Sequence, residues 1–286
     1  MDPVLAKITT CAAAGQLVPY LGAGLIDLVE AAAVPPASSA TLVKKLTERV
    51  SVPPRSRNNL TGAAQFIENF KHRKTLRGLM SDAFAPRPAP PPLCHWLASL
   101  PRLPLLVSAW YDDLMAQALA ATGRNWGAVQ GVSQAEQFGE WVNYFQADGS
   151  PASAGQAHDW PTLLYQPLGS IAPAANFLVS DSDFVEVLTE IDIQTPIPDE
   201  VKLRRDGRQF LFLGCRFDDQ LSRTFARQIL KRSSHQHWAV LPGRLTRNEA
   251  RFLTEVDIER IDLPLADFAA LLTGSSAESA RLSAVT

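Results

Sequence analysis

The chain has 286 residues, 46% of them hydrophobic and 20% charged, which is enough apolar material for a sizeable core and excludes global disorder. Lys plus Arg number 27 against 29 Asp plus Glu, a formal net charge of −2, so the chain lacks a general electrostatic footprint for nucleic acid. Its three cysteines, Cys11, Cys94 and Cys215, form no CxxC pair, which excludes a four-thiolate zinc site and suits buried free thiols in a reducing compartment.

No apolar run approaches the roughly 18 residues of a membrane span. Residues 1–7 have neither the basic nor the apolar region of a signal peptide. A cytoplasmic globular protein with no membrane partner is expected.

Asp2-Pro3 followed by Val4, Leu5, Ile8 and Cys11 predicts an opening helix with Asp2 as its cap, stopped by Gly15. Residues 16–21 predict a strand despite Pro19, running straight into Gly22-Ala23-Gly24. From residue 27 the character changes. An apolar stretch broken by Pro35-Pro36 leads to predicted helices over 41–50, 63–70 and 75–84. The basic run Lys71, His72, Arg73, Lys74 is expected to be a solvated helix face. Residues 86–92 are proline-rich and expected as an ordered extended connector, and residues 93–100 as a short helix.

A buried strand over 103–109 and a helix over 112–121 follow, with two aspartates at the positive end of that helix. Residues 122–161 are mixed and polar and predict no element. Short strands are expected over 162–166 and 176–179, then a helix through Glu190 opened by a Ser180–Asp183 capping box. The last third alternates cleanly: strand 209–213, loop 214–219, helix 221–232, strand 237–241, helix 247–255, strand 258–263, helix 265–272, and a frayed tail after Gly274. Strands alternating with helices predict an α/β fold with a mostly parallel sheet covered on both faces.

Four segments carry candidate chemistry. Gly22-Ala23-Gly24 at a strand end would let backbone N–H groups approach a phosphate, although the full GxGxxG pattern is absent. Ser108-Ala109-Trp110-Tyr111-Asp112-Asp113 also ends a strand, the side on which open α/β sheets bind ligands. Its aspartates equally suit plain helix capping. Pro167-Leu168-Gly169-Ser170 and Leu213-Gly214-Cys215-Arg216-Phe217-Asp218-Asp219 form two more corners. Cys215 beside Arg216 has either a lowered pKa or the inert character of a packed thiol.

In order and spacing these segments resemble the sirtuin-like family, in its bacterial stand-alone or defence-associated branch rather than the protein deacetylases. The resemblance spans about residues 15–270. It implies a doubly wound Rossmann-like, mostly parallel sheet with a small inserted helical module: a single domain over 1–286, its core about 1–26 and 101–274, its module about 27–100. It implies NAD or ADP-ribose held by Gly22, Ala23, Gly24, Leu25, Ser108, Trp110, Asp112, Gly214, Cys215 and Asp218. The cleft would be lined by residues 22–26, 108–112, 168–170, 214–218 and 241–244.

The departures bear on catalysis. The family's asparagine position is Trp110 and its general-base histidine position is Leu168, which cannot move a proton. The serine after Gly-Ala-Gly is missing, as are the cysteines of a zinc ribbon, so no metal is expected. Asp112 matches the family's acid near the nicotinamide carboxamide and is the one tentative catalytic residue. His158 is a candidate substitute base, with His95 a second. The implied protein is a pseudoenzyme or nucleotide-sensing or interaction protein. The alternatives are an active NAD hydrolase, ADP-ribosyl-transfer enzyme or deacylase using Asp112, Tyr111 or His158, and a scaffold with a closed cleft and a protein partner.

Overall fold

The computed structural model describes residues 3–193 and 197–274. The opening helix cap at Asp2 and the tail after Gly274 lie outside the described residues. The opening helix is α1 (Pro3–Ala13), and β1 (Leu17–Leu21) follows it. Next come α2 (Ser39–Thr47), α3 (Leu60–Ala83) and α4 (Pro92–Ser99), then β2 (Leu105–Ser108) and α5 (Leu114–Ala120). Three strands follow, β3 (Gly127–Gly131), β4 (Val142–Gln146) and β5 (Pro151–Ala152), then β6 (Leu163–Gln166) and the small pair β7 (Gly169–Ser170) and β8 (Asn176–Phe177). The chain closes with α6 (Asp181–Ile193), α7 (Asp199–Arg205), β9 (Gln209–Leu213), α8 (Gln220–Leu230), β10 (His237–Val240), α9 (Arg247–Glu255), β11 (Ile258–Ile261) and α10 (Leu265–Thr273).

Nine strands form one sheet in the order β11-β10-β9-β1-β2-β6-β3-β4-β5. Every pairing from β11 to β3 is parallel, and β4 and β5 extend the edge antiparallel. The chain winds outward from β1 on one side and returns beside it as β9 before winding out on the other. The order therefore reverses between β1 and β9, and that is the topological switch point. Pro19 is accommodated because the ladder to β2 begins at Tyr20, one residue past it.

Strand alternation feeds two cores. Leu17, Leu21, Leu106, Leu211 and Leu213 pack with Ile8, Leu46, Ile67, Leu97 and Phe268 on one face. Val18, Tyr20, Val107, Phe210 and Phe212 pack with Val201, Ala226, Ile229 and Phe252 on the other. The helices inserted between β1 and β2 bury their apolar stripes in the first of these clusters, continuous with the sheet. No helix among the described residues is long and apolar enough to cross a membrane.

Several expectations change. The predicted helices over 63–70 and 75–84 are one element, α3, broken at His72 with φ 68° and ψ 152°. Directly after that break, Arg73 is not a solvated face: its side chain is 14% exposed and ion-paired to Asp183 (2.8 Å), Glu136 (3.1 Å) and Glu68 (3.3 Å). The expected strand at 176–179 shrinks to β8 and pairs with β7 outside the main sheet. Residues 122–161, unassigned by sequence, hold β3, β4 and β5, and α7 was also unforeseen. Cys94 and Cys215 are buried free thiols, but Cys11 is only half-buried, its Sγ 2.6 Å from Gln209 Oε1. The Ser180–Asp183 box forms as expected: Ser180 N–H donates to Asp183 Oδ2 (3.0 Å) and Asp183 N–H to Ser180 Oγ (3.4 Å).

Candidate functional site

The switch point is built from glycine backbone. Gly22 N–H donates to Leu213 O and Gly24 N–H to Gly214 O, both at 2.9 Å, so the loop after β1 lies directly on the loop after β9. A Cβ on Gly22 would meet Gly214 O at 2.5 Å and Cys215 Cα at 2.9 Å. Gly214 adopts φ +66°, and a Cβ there would meet Leu25 N at 2.5 Å. These glycines serve the approach of two loops. The amides of Gly22 and Gly24, expected to face a phosphate, are committed to protein carbonyls instead. Leu25 is buried, while Ala23, Gly24 and Gly214 are half-buried and form the accessible rim.

Cys215 sits beneath that rim, its Sγ 3.6 Å from the carbonyls of Tyr20 and Leu213. Burial pushes its thiol well above the ordinary value, which makes it a packed thiol rather than a reactive one. Asp218 is exposed. The loop carrying both residues is tied down by Glu249, fully buried on α9, which accepts from Phe217 N–H (3.3 Å), Thr246 N–H (2.9 Å) and Arg216 (2.9 Å). The T-x-x-E pattern at Thr246–Glu249 signalled the helix cap but not this second duty.

At the end of β2, Ala109 N–H donates to Leu21 O (2.8 Å), which joins this corner to β1. Ser108 is buried. Trp110 is 6% exposed, donates its indole N–H to Pro36 O (2.8 Å), and packs against Phe84 and Tyr111. Tyr111 gives its hydroxyl to Leu178 O (2.8 Å), and burial drives its pKa far upward. Asp112 is 5% exposed; its Oδ1 accepts from Leu114 N–H (3.1 Å). Burial first, then the neighbouring Asp113, pushes its carboxyl up to about 6, against the pull of the Leu114 N–H. Asp113 is paired with Arg87 from the proline-rich connector and accepts from Gln117 (2.9 Å).

The corner after β6 closes against the same loop. Ser170 Oγ donates to Asp112 O (3.0 Å), and Ile171 N–H donates to Tyr111 O (2.8 Å). Leu168, at the expected histidine position, is half-buried and packs against apolar side chains of two clusters. The structure thus brings residues 22–25, 108–112, 168–170 and 214–215 to the C-terminal edge of the sheet.

His158 does not reach it. It precedes β6, pairs with Glu200 of α7 (3.2 Å), and lies toward the opposite, N-terminal edge. His95 is exposed on α4. The Arg73–Asp183 network also stands at the C-terminal edge and was not foreseen. Besides its carboxylates, Arg73 donates to Phe177 O, while Ser133 donates to Asp183. Its only sequence signal was the Ser180–Asp183 cap.

A model of the SIR2-like domain matches residues 104–261, more than half of the chain. The chain belongs to the SIR2-like family. The matched span of this SIR2-like domain begins just before β2 and ends with β11, so it contains Ser108, Trp110, Asp112, Leu168, Gly214 and Cys215. The segment Gly22-Ala23-Gly24 lies outside it. No curated protein matches the chain closely enough to count as a relative.

Proposed function

We propose that this SIR2-like protein holds NAD or ADP-ribose at the C-terminal edge of its sheet without cleaving the nicotinamide–ribose bond, and so acts as a nucleotide-sensing or interaction protein. The observation that carries this reading is Trp110, a buried indole with its N–H already given to Pro36 O, at the position where the resemblance puts the family's asparagine. Leu168, where the resemblance puts the family's histidine, cannot itself move a proton, a contribution commonly worth about 10²–10⁴-fold in rate.

The two halves of the dinucleotide fit unequally. The half-buried rim of Ala23 and Gly214 leaves backbone within reach of a pyrophosphate, while the amides of Gly24 and Ala109 are already given to Gly214 O and Leu21 O. The nicotinamide half does not fit, because Trp110, Phe84 and Tyr111 pack together there. Within this reading the core at about 1–26 and 101–274 and the helices at about 27–100 are the two walls of the cleft, Asp112 is a binding rather than a catalytic group, and the free cysteines suit the cytoplasm. Nucleic acid is not a partner.

Calorimetric titration with NAD and with ADP-ribose, combined with chromatography for nicotinamide, tests the proposal. ADP-ribose is expected to bind at least as tightly as NAD, with no nicotinamide released. Release above the level of Asp112→Ala would make the protein an enzyme. No heat with either ligand from folded protein would favour the second reading, a scaffold with a closed cleft, which the committed amides of Gly22 and Gly24 support.

A further inference from the structure

The opposite edge of the sheet holds a groove of about 520 Å³ that the family cleft does not use. It is lined where β1, β2, β6 and β9 begin, by Gly15, Arg102, Arg124, Thr162 and Arg208 among others. Its volume falls within the range of roughly 300–1,000 Å³ for small-molecule sites. Three arginines, Arg102, Arg124 and Arg208, line it, and its lining contains no carboxylate.

Two of those groups are held in place without being neutralised. Arg124 donates to Leu100 O (2.8 Å) and to Ala98 O; Arg208 donates to Gly15 O (3.0 Å) and Arg204 O (2.6 Å). These acceptors are carbonyls, which orient a guanidinium and leave its charge standing. Arg102 is exposed on the loop before β2. Among the described residues no salt bridge joins any of the three. Desolvation and the neighbouring Arg204 hold Arg208 below its ordinary value, with Asp206 opposing, so its charge gains from an added anion.

Planar guanidinium forks match phosphate oxygens two at a time. Pro101, Pro104 and Pro161 add rigid apolar walls beside them. We infer that this groove is a binding site for a small organic phosphate, its phosphate on Arg102, Arg124 and Arg208 and its apolar body on the prolines.

The test is calorimetry of the full chain with inorganic pyrophosphate and with phenyl phosphate, for wild type, Arg102→Glu and Arg102→Lys. Arg102 is exposed and, among the described residues, its side chain makes no hydrogen bond or ion pair, so Arg102→Glu is expected to keep the wild-type Tm. Both probes are expected to bind wild type, to weaken at least tenfold in Arg102→Glu, and to recover most of that loss in Arg102→Lys. Phenyl phosphate binding more tightly than inorganic pyrophosphate identifies an organic ligand. No heat with either probe from folded wild type, or equal affinity in Arg102→Glu, overturns the inference. Should Arg102→Glu fail to fold, Arg124→Gln replaces it with the same criterion.

Discussion

The two ends of the same parallel strands are built in opposite ways. At the C-terminal edge, where an open α/β sheet presents its ligand crevice, backbone lies on backbone at Gly22, Gly24 and Gly214. Trp110, Tyr111 and Asp112 are buried there, and the charged groups Arg73, Asp183, Arg87 and Asp113 are paired with one another. At the N-terminal edge the loops stand apart around a groove lined by Arg102, Arg124 and Arg208, and the last two donate to carbonyls. Topology says where a ligand would enter. Side-chain choice says how much room and uncompensated charge it meets, and in this chain the two answers fall at different ends.

The contrast breaks most readily at Arg73. Arg73→Met would leave Asp183, Glu68 and Glu136 facing one another without their shared cation. The expected loss is about 3–5 kcal/mol, read as a lower denaturant midpoint at unchanged slope. A change under about 1 kcal/mol would mean that solvent already screens the cluster and that this edge is more open than the structure has it.

Gly214→Ala comes next. It forces a side chain into φ +66° and against Leu25 N, with an expected cost of about 2–4 kcal/mol. An unchanged thermal transition would show that the two loops separate easily, which would leave the amides of Gly22 and Gly24 free for a phosphate.

The smallest effect sharpens the comparison through one buried titratable group at each edge. Asp112, raised to about 6, takes up a proton on folding, so its contribution falls as pH rises from about 4 to 6. His237, at the start of β10, accepts Phe210 N–H on Nδ1 (3.0 Å), and burial lowers its pKa to about 4. It releases a proton on folding, so its contribution grows as pH rises from about 4 to 6.5. Each is on the order of 2–3 kcal/mol and they oppose. Relative to wild type, Asp112→Asn is expected to gain stability as pH rises from 4 to 6. His237→Gln is expected to lose its advantage over the same span. Parallel curves for either variant would contradict that assignment.

Much of the fold was legible because its signals are local. The alternation of β9, α8, β10, α9 and β11 needs only short apolar runs, Gly214 and the Thr246–Glu249 cap to be read. The strand β3 was not legible: its sequence GAVQG reads as turn-like, and a Cβ on Gly127 would overlap the Trp160 indole, which is distant in sequence. The basic run at 71–74 misled because charge pattern cannot show that α3 breaks at His72 and aims Arg73 inward.

By itself, then, the sequence determined the α/β class, the family, and the corners that end β1, β2, β6 and β9. Periodicity, turn chemistry and residue identity are properties of neighbours along the chain. Only the tertiary structure decided that the glycine amides turn onto protein carbonyls, that Trp110 is sealed by Pro36, and that Arg102, Arg124 and Arg208 gather at one groove. Those outcomes depend on which distant segments share a sheet edge, and parallel pairing sets that over separations of up to about two hundred residues, as between Leu17 and Gln209.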